Sequence, residues 1–358
     1  MISKIDMKKT ALILALTSSS LAIGQIKQEA GEKHLINLRQ ITFGGDNAEA
    51  YFSPDGKQLC FQTNNPKWGL KCDQIYRMDL QASKADTAFQ PHLISTGEGR
   101  TTCAYYLPGN KEILYASTHL AGKECPPAPA PRADRKYLWA VYPEFDIFVA
   151  DENGKTKKQL TNSTGYDAEA TVSPNGDKIV FTSDRSGDLE LWVMDIDGKN
   201  QKQITSGLGY DGGAFFSPDG KELVFRASRP QTDEEQKEYK ELLKEHLVAP
   251  TNMEIYTCNI DGSNLKKITS LGKANWAPFF HPSGKKIIFS SNHHGQKGYD
   301  FQLFMVDRNG NNLERITNES LFNAFPMFSP DGKKLVFSSN RNNGGGRDTN
   351  LFIADWQD

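Results

Sequence analysis

Six prolines head six copies of one pattern: Pro54, Pro108, Pro174, Pro218, Pro282 and Pro330. The gaps between them are 54, 66, 44, 64 and 48 residues, the shortest near the ~40–45 residues of a single propeller blade. Two residues before each proline stands a large side chain: Phe52, Tyr106, Val172, Phe216, Phe280 or Phe328. Four before it the residue is compact: Ala50, Ala104, Ala170, Ala214, Pro278 or Pro326. Seven after it an aromatic returns every time: Phe61, Tyr115, Phe181, Phe225, Phe289 and Phe337. Columns that alternate large with small are what wedge-shaped sheets need to interdigitate around an axis.

The third copy, residues 166–205, shows the unit most plainly. Apolar side chains at Ala170, Val172, Ile179 and Phe181 recur at period two, and turn residues separate four short strands. One such sheet cannot bury its own faces and must stack on its copies. The longer gaps are expected to be insertions between second and third strands. Each unit also ends on an Ile/Leu-Thr/Ser pair: Ile41-Thr42, Ile94-Ser95, Leu160-Thr161, Ile204-Thr205, Ile268-Thr269 and Ile316-Thr317. The first pair precedes the first inner strand, whereas the last unit ends near residue 355 without one. Residues 38–42 are therefore expected to complete the last blade, which removes two open sheet edges. The fold class is all-β: a six-bladed propeller of four-stranded antiparallel blades, closed by the N-terminal strand.

Residues 1–24 read as a secretory signal peptide: Lys8 and Lys9, an apolar run over 11–16, then the small-residue site Ala22-Ile23-Gly24. That run is far short of the ~20 residues of a membrane span. Residues 25–358 then form one propeller domain, periplasmic or secreted and expected to be a monomer. A net charge of −2 over 358 residues gives no reason to expect a nucleic-acid partner. Cys60 and Cys258 fall in apolar strand registers; Cys72, Cys103 and Cys125 fall near one end of the first two blades. Export allows one disulfide among these three, in any pairing.

Two insertions stand apart. Residues 123–144 hold five prolines and the aromatic tip Tyr137-Leu138-Trp139, an extended loop. Residues 232–248 read as a helix, with Thr232 and Glu235 as capping box and Tyr239, Leu242, Leu243, His246 and Leu247 on one face. That face either packs on the propeller rim or docks a partner. The motifs GxSxG, GxxxxGK[ST] and HExxH are absent. The segments from Asp195 and Asn259 (DIDG, NIDG) resemble calcium loops but lack the closing glutamate and read as hairpin turns.

The candidate site is the loop-bearing face. Seven residues before each proline stand Asn47, Thr101, Asp167, Asp211, Asn275 and Asn323, a polar ring expected at the channel mouth. Glu49 and Glu169 lie two residues further on. Eleven after the proline come Asn65, His119, Arg185, Arg229, His293 and Arg341, with Tyr166, Tyr210, Trp276 and Phe322 between the rings. These charges either neutralise one another and pin the loops or form a binding site. In the second case Asp167, Glu169 and Asp211 supply oxygen ligands for a divalent cation, and the arginines form forks for a partner's carboxylates. The ligand-binding set is Glu49, His119, Asp167, Glu169, Arg185, Asp211, Arg229, Asn275, Trp276, His293, Asn323 and Arg341. No cofactor is expected beyond that cation.

The recurrent FSPDGKxLxF and SNR elements, at residues 52–61, 216–225, 328–337 and 339–341, make the chain similar to the TolB-type propeller repeat from about residue 36 to 356. The resemblance is to the propeller part, since that family carries an α/β domain ahead of it. Similar repeats also precede the hydrolase domain of prolyl-oligopeptidase-like peptidases. The resemblance implies a periplasmic six-bladed propeller that binds the peptidoglycan-associated lipoprotein of the Tol-Pal envelope system. The function expected is accordingly an exported, non-catalytic binder of an envelope protein or peptide. The alternative is a metal-dependent lyase or hydrolase using His119 or His293 with Glu169 or Asp211.

Overall fold

The computed structural model describes residues 31–81, 91–130, 132–134 and 136–358. The expected signal peptide lies outside the described residues. Six four-stranded antiparallel sheets follow one another around an axis. Their inner strands are Asp46–Phe52, Thr101–Tyr106, Asp167–Val172, Asp211–Phe216, Asn275–Phe280 and Asn323–Phe328. The first five sheets run inner to outer in chain order, and the sixth takes Leu35–Gln40 as its outer strand. That strand pairs antiparallel with Asn350–Trp356, Leu35 opposite Trp356 and Gln40 opposite Phe352. The ring is thus closed as expected, with the closing strand starting three residues earlier than the repeat suggested.

The repeat columns explain the packing. All six aromatics seven residues after the prolines, from Phe61 to Phe337, are fully buried, and each such side chain contributes roughly 1.5–3 kcal/mol. The turn after each proline needs a left-handed residue two positions on: Gly56, Gly176, Gly220, Gly284 and Gly332 supply it at φ 69–71°, and Asn110 does so at 63° in the second blade.

The Thr/Ser of each outer strand proves to be a fastener. Its hydroxyl accepts from the second amide of the neighbouring third strand, as at Leu191 to Thr205 (2.9 Å) and Leu351 to Thr42 (2.8 Å). It then donates to that strand's first side chain, as Thr205 to Glu190 (2.6 Å) and Thr317 to Gln302 (2.7 Å). The same pair of bonds recurs in all six blades.

The long second-to-third connections are found in the second and fourth blades, between Ser117 and Asp146 and between Ala227 and Glu254. The first blade differs from expectation: part of its extra length lies after its third strand, between Asp79 and His92. The helix is Asp233–Lys244, with Thr232 as N-cap and the capping box to Glu235 formed. It stops short of residue 248 because His246 turns left-handed (φ 56°) and Leu247–Val248 becomes a strand. That strand pairs with Trp139–Ala140 of the proline-rich arm, so the two insertions meet across the face. Leu242 is buried, and Tyr239 and Leu243 pack against the cluster around Val141 and Trp276, so the apolar side of the helix lies down on the rim. A disulfide joins Cys72 to Cys125, Cα atoms 5.9 Å apart, and ties the arm to the first blade. Cys60 and Cys258 are buried core residues, and Cys103 is a free thiol. Gly198 donates its amide to Asp195 (2.8 Å), as a hairpin turn requires.

Candidate functional site

Each inner strand carries an irregularity at the same place. The residue five before the proline (Glu49, Cys103, Glu169, Gly213, Ala277 or Phe325) lies at φ 47–60°, and the pairing register shifts there in every blade. The bulge bends the strand. Two residues further on, Tyr51, Tyr105, Phe215 and Phe279 meet on the axis. Tyr51 of the first blade and Phe215 of the opposite fourth blade have ring centres 5.7 Å apart; Tyr105 lies 5.5 Å from Tyr51, and Phe279 lies 5.1 Å from Phe215. This plug shuts the channel.

Above the plug opens a cavity of about 1170 Å³. Its floor includes Glu49, Cys103, Glu169 and Phe325; Tyr166, Tyr210, Trp276 and Phe322 form its walls; Trp139, Tyr142 and Tyr137 reach in from the arm. Trp139 and Trp276 pack at 5.0 Å, and Trp276 stacks on Phe301 at 4.2 Å. The indole N–H of Trp276 donates to the Pro250 carbonyl (2.8 Å), which sets its plane.

At the floor lies one buried ionic cluster. The Glu169 carboxylate accepts from the Tyr210 hydroxyl (2.7 Å), Thr182 (2.7 Å), the Gly213 amide (2.9 Å) and the Arg226 guanidinium. Arg226 also donates to Tyr210 (2.7 Å) and lies 5.0 Å from the Trp139 ring centre. Burial acts to lower its pKa, but Glu169 and the other acidic groups around it raise it overall, so the arginine is charged throughout. An added β-carbon at Gly213 would collide with that guanidinium. Burial lifts the Glu49 carboxyl above its ordinary range; the Cys103 thiol partly offsets this and the Glu169 charge adds to it.

Of the twelve residues put forward from the sequence, the structure brings Glu49, Glu169 and Trp276 together around this cavity. The others sit elsewhere. Asp167, Asp211, Asn275 and Asn323, like Asn47 of the same polar ring, are fully buried in the seams between blades rather than at the mouth. Asn323 takes a bond from Arg341 (3.0 Å) and gives one to Gln302 (2.8 Å); Asn275 donates to the Met253 carbonyl (2.8 Å). Arg185 is held by Asp167 (2.7 Å) and Arg229 by Asp211 (3.0 Å). Arg341 pairs with Glu32 (3.0 and 3.1 Å), both nearly sealed from solvent, and so locks down the segment before the closing strand. His119 packs on Phe148 (4.3 Å) and His293 on Phe304 (4.5 Å), each bonded to a serine two residues earlier. Asp167, Glu169 and Asp211 thus each face an arginine. Among the described residues no three His, Cys, Asp or Glu side chains gather as a metal ion would need.

Arg226 escaped sequence reasoning, although its column offered a signal. Eight residues after the proline the other blades carry Gln62, Ala116, Thr182, Ser290 and Ser338, so one arginine there is out of character. Glu32 lies outside every repeat and had no column to betray it.

The family model of the TolB beta propeller domain matches residues 117–226 and 244–354. Among solved structures, a protein described as a TolB from Agrobacterium tumefaciens is similar at TM-score 0.55 and 20% identity, over 88% of this chain and 91% of that one. TolB from Acinetobacter baumannii gives 0.53 and 20%, over 87% of this chain and 64% of that one. An oligogalacturonate lyase in complex with manganese gives 0.51 and 13%, over 89% and 80%. At these identities the structural likenesses speak for the fold. No curated protein matches by sequence. The family model covers more than half of the chain, and the chain therefore belongs to the TolB beta propeller domain family.

Proposed function

We propose that this protein is an exported, non-catalytic propeller that holds an extended segment of an envelope protein or peptide in its funnel. The observation that carries the reading is the blind, aromatic-walled cavity on the loop-bearing face. Its floor charges, Glu169 and Arg226, satisfy each other, which suits a site that binds by shape and stacking. The exposed rings of Tyr137 (59%) and Tyr299 (46%) at its lip have no core role and offer amphipathic contact area. Placement outside the cytoplasm is supported by the leader-like residues 1–24 and by the Cys72–Cys125 disulfide. No helix among the described residues is long and apolar enough to cross a membrane.

The enzymatic alternative needs an imidazole beside an acidic group in the cavity. His119 and His293 instead lie against ring faces outside it, so the geometry favours the binder. The test is capture from envelope extract by the wild type and by Trp139→Ala/Tyr137→Ala, with the bound segment mapped by crosslinking. The variant is expected to fold normally and hold its partner at least about tenfold more weakly, as for aromatic anchors at interfaces. Equal capture by both proteins would move the site away from the funnel.

A further inference from the structure

The lip of the funnel is not electrically even. Lys273 lies just before the inner strand of the fifth blade, Lys297 in the second-to-third connection of that blade, and Arg347 in the same connection of the sixth. All three are exposed and line the one cavity. Lys297 and Arg347 each stand 5.6 Å from the ring centre of Tyr299, which is itself exposed. Lys273 donates to the Gly295 carbonyl (2.6 Å). Among the described residues none of the three cations is within salt-bridge distance of a carboxylate.

The other cations of the funnel behave otherwise. Arg100 is neutralised by Asp73 (2.6 Å), Lys136 by Glu238 (2.5 Å) and Arg226 by Glu169. Asp46, on the same side as Arg347, accepts two bonds from the neutral Thr349 (3.1 and 2.8 Å) and keeps its charge, so three cations stand against one carboxylate there. At the floor the Glu49 carboxyl makes no salt bridge among the described residues; the Tyr51 hydroxyl lies at 3.4 Å, the Cys103 thiol bonds it, and Arg226 acts on it at longer range. The funnel therefore presents net positive charge at one lip, aromatic walls midway and a carboxyl at the base.

We propose that the funnel selects an extended peptide whose acidic side chains lie against Lys273, Lys297 and Arg347, and whose inner end is neutral or basic beside Glu49. This rests on the binding function proposed above and adds the chemistry of the occupant. Complementary charge at a lip steers encounter and fixes orientation more than it adds raw affinity. A chain with an acid on every unit, such as a uronate oligosaccharide, satisfies the lip but offers no apolar anchor to the walls formed by Trp139 and Trp276. A peptide can carry acid at one end, an apolar anchor for Trp139 and Trp276, and an amine at the other.

The test pans a displayed library of short linear peptides against the full exported chain, wild type and K273E/K297E/R347E, with sodium polygalacturonate as competitor. The wild type is expected to retain peptides rich in Asp and Glu, bound roughly tenfold or more weakly by the variant at low salt and progressively more weakly by the wild type as salt rises. K297A/R347A serves if the charge reversal fails to fold, and its loss is expected to be smaller but in the same direction. Peptides retained without acidic preference, or equally by wild type and variant, would overturn this inference and leave the binding function standing. If the wild type retains no peptide, the binding function itself falls. Retention of polygalacturonate in place of peptides overturns both.

Discussion

Arg226 is nearly sealed in the funnel floor, and among the described residues its one salt bridge is to Glu169. Removing one member of such a pair leaves the other charged and desolvated. Glu169→Ala is therefore expected to lower unfolding free energy by about 3–5 kcal/mol in urea titrations. Glu169→Leu with Arg226→Met should recover much of that loss, and a double variant no better than the single would show the pair is not the cause. A second buried acid makes a pH prediction. Burial pushes the Glu190 carboxyl up to about 8, and the Asp211 and Asp188 charges nearby add to it. A carboxyl raised in the fold contributes stability fully present below its unfolded value of 4.5, and this is lost as pH rises through about 8. Glu190→Gln keeps the bond from Thr205 and cannot ionise. Its stability profile should be flatter over that window and lie above the wild type beyond it; parallel profiles would rule the titration out.

The inner-strand bulge is the element on which the site depends. It turns one residue per blade left-handed, and only the fourth blade uses glycine there. The reason is space as much as backbone freedom, because Arg226 occupies the volume of a Gly213 β-carbon. Gly213→Ala should thus cost more than the ~1 kcal/mol of an ordinary left-handed alanine, while Ala277→Gly is expected to be neutral or slightly stabilising in thermal melts. The disulfide acts on the arm. Cys72 and Cys125 are 53 residues apart, a loop whose closure is worth about 4 kcal/mol in chain entropy. The paired serine variant should melt lower and expose the arm to protease first. Equal arm cleavage in both proteins would show that the short strand Trp139–Ala140 holds it alone. The sequence reveals these elements unequally. Strands, turns, capping box and blade count are visible because each repeats or has local chemistry, as with Thr232 and Glu235. The direction of the polar side chains is not visible. A period-two count carried through the bulge puts Asp167 and Asp211 at the mouth, whereas the added residue turns them into the seams. The meeting of arm and helix insertion, more than a hundred residues apart, has no periodicity to announce it.

For the whole molecule, stability hangs on the closing strand. It and its flank bury Leu35, Leu38 and Ile41, each worth roughly 1.5–3 kcal/mol, and Glu32 neutralises the buried Arg341. Losing that partner costs about 3–5 kcal/mol more, so the total approaches the ~5–15 kcal/mol that holds a typical domain together. Deleting residues 25–44 is expected to abolish the cooperative melt, and Glu32→Gln to lower its midpoint with the transition intact. A truncated chain melting like the wild type would mean that the ring closes without its clasp.

The aromatic plug of Tyr51, Tyr105, Phe215 and Phe279 makes the propeller a dead end. Nothing admitted at the loop-bearing face can leave by the other, so whatever enters first must come out last. Departure is then governed by the groups nearest the opening, the arm with Tyr137 and the lip with Tyr299, even where most contact is made deeper. Residence time and affinity become separately adjustable: a change at the lip alters how long an occupant stays, and a change at the six bulges alters which occupant fits.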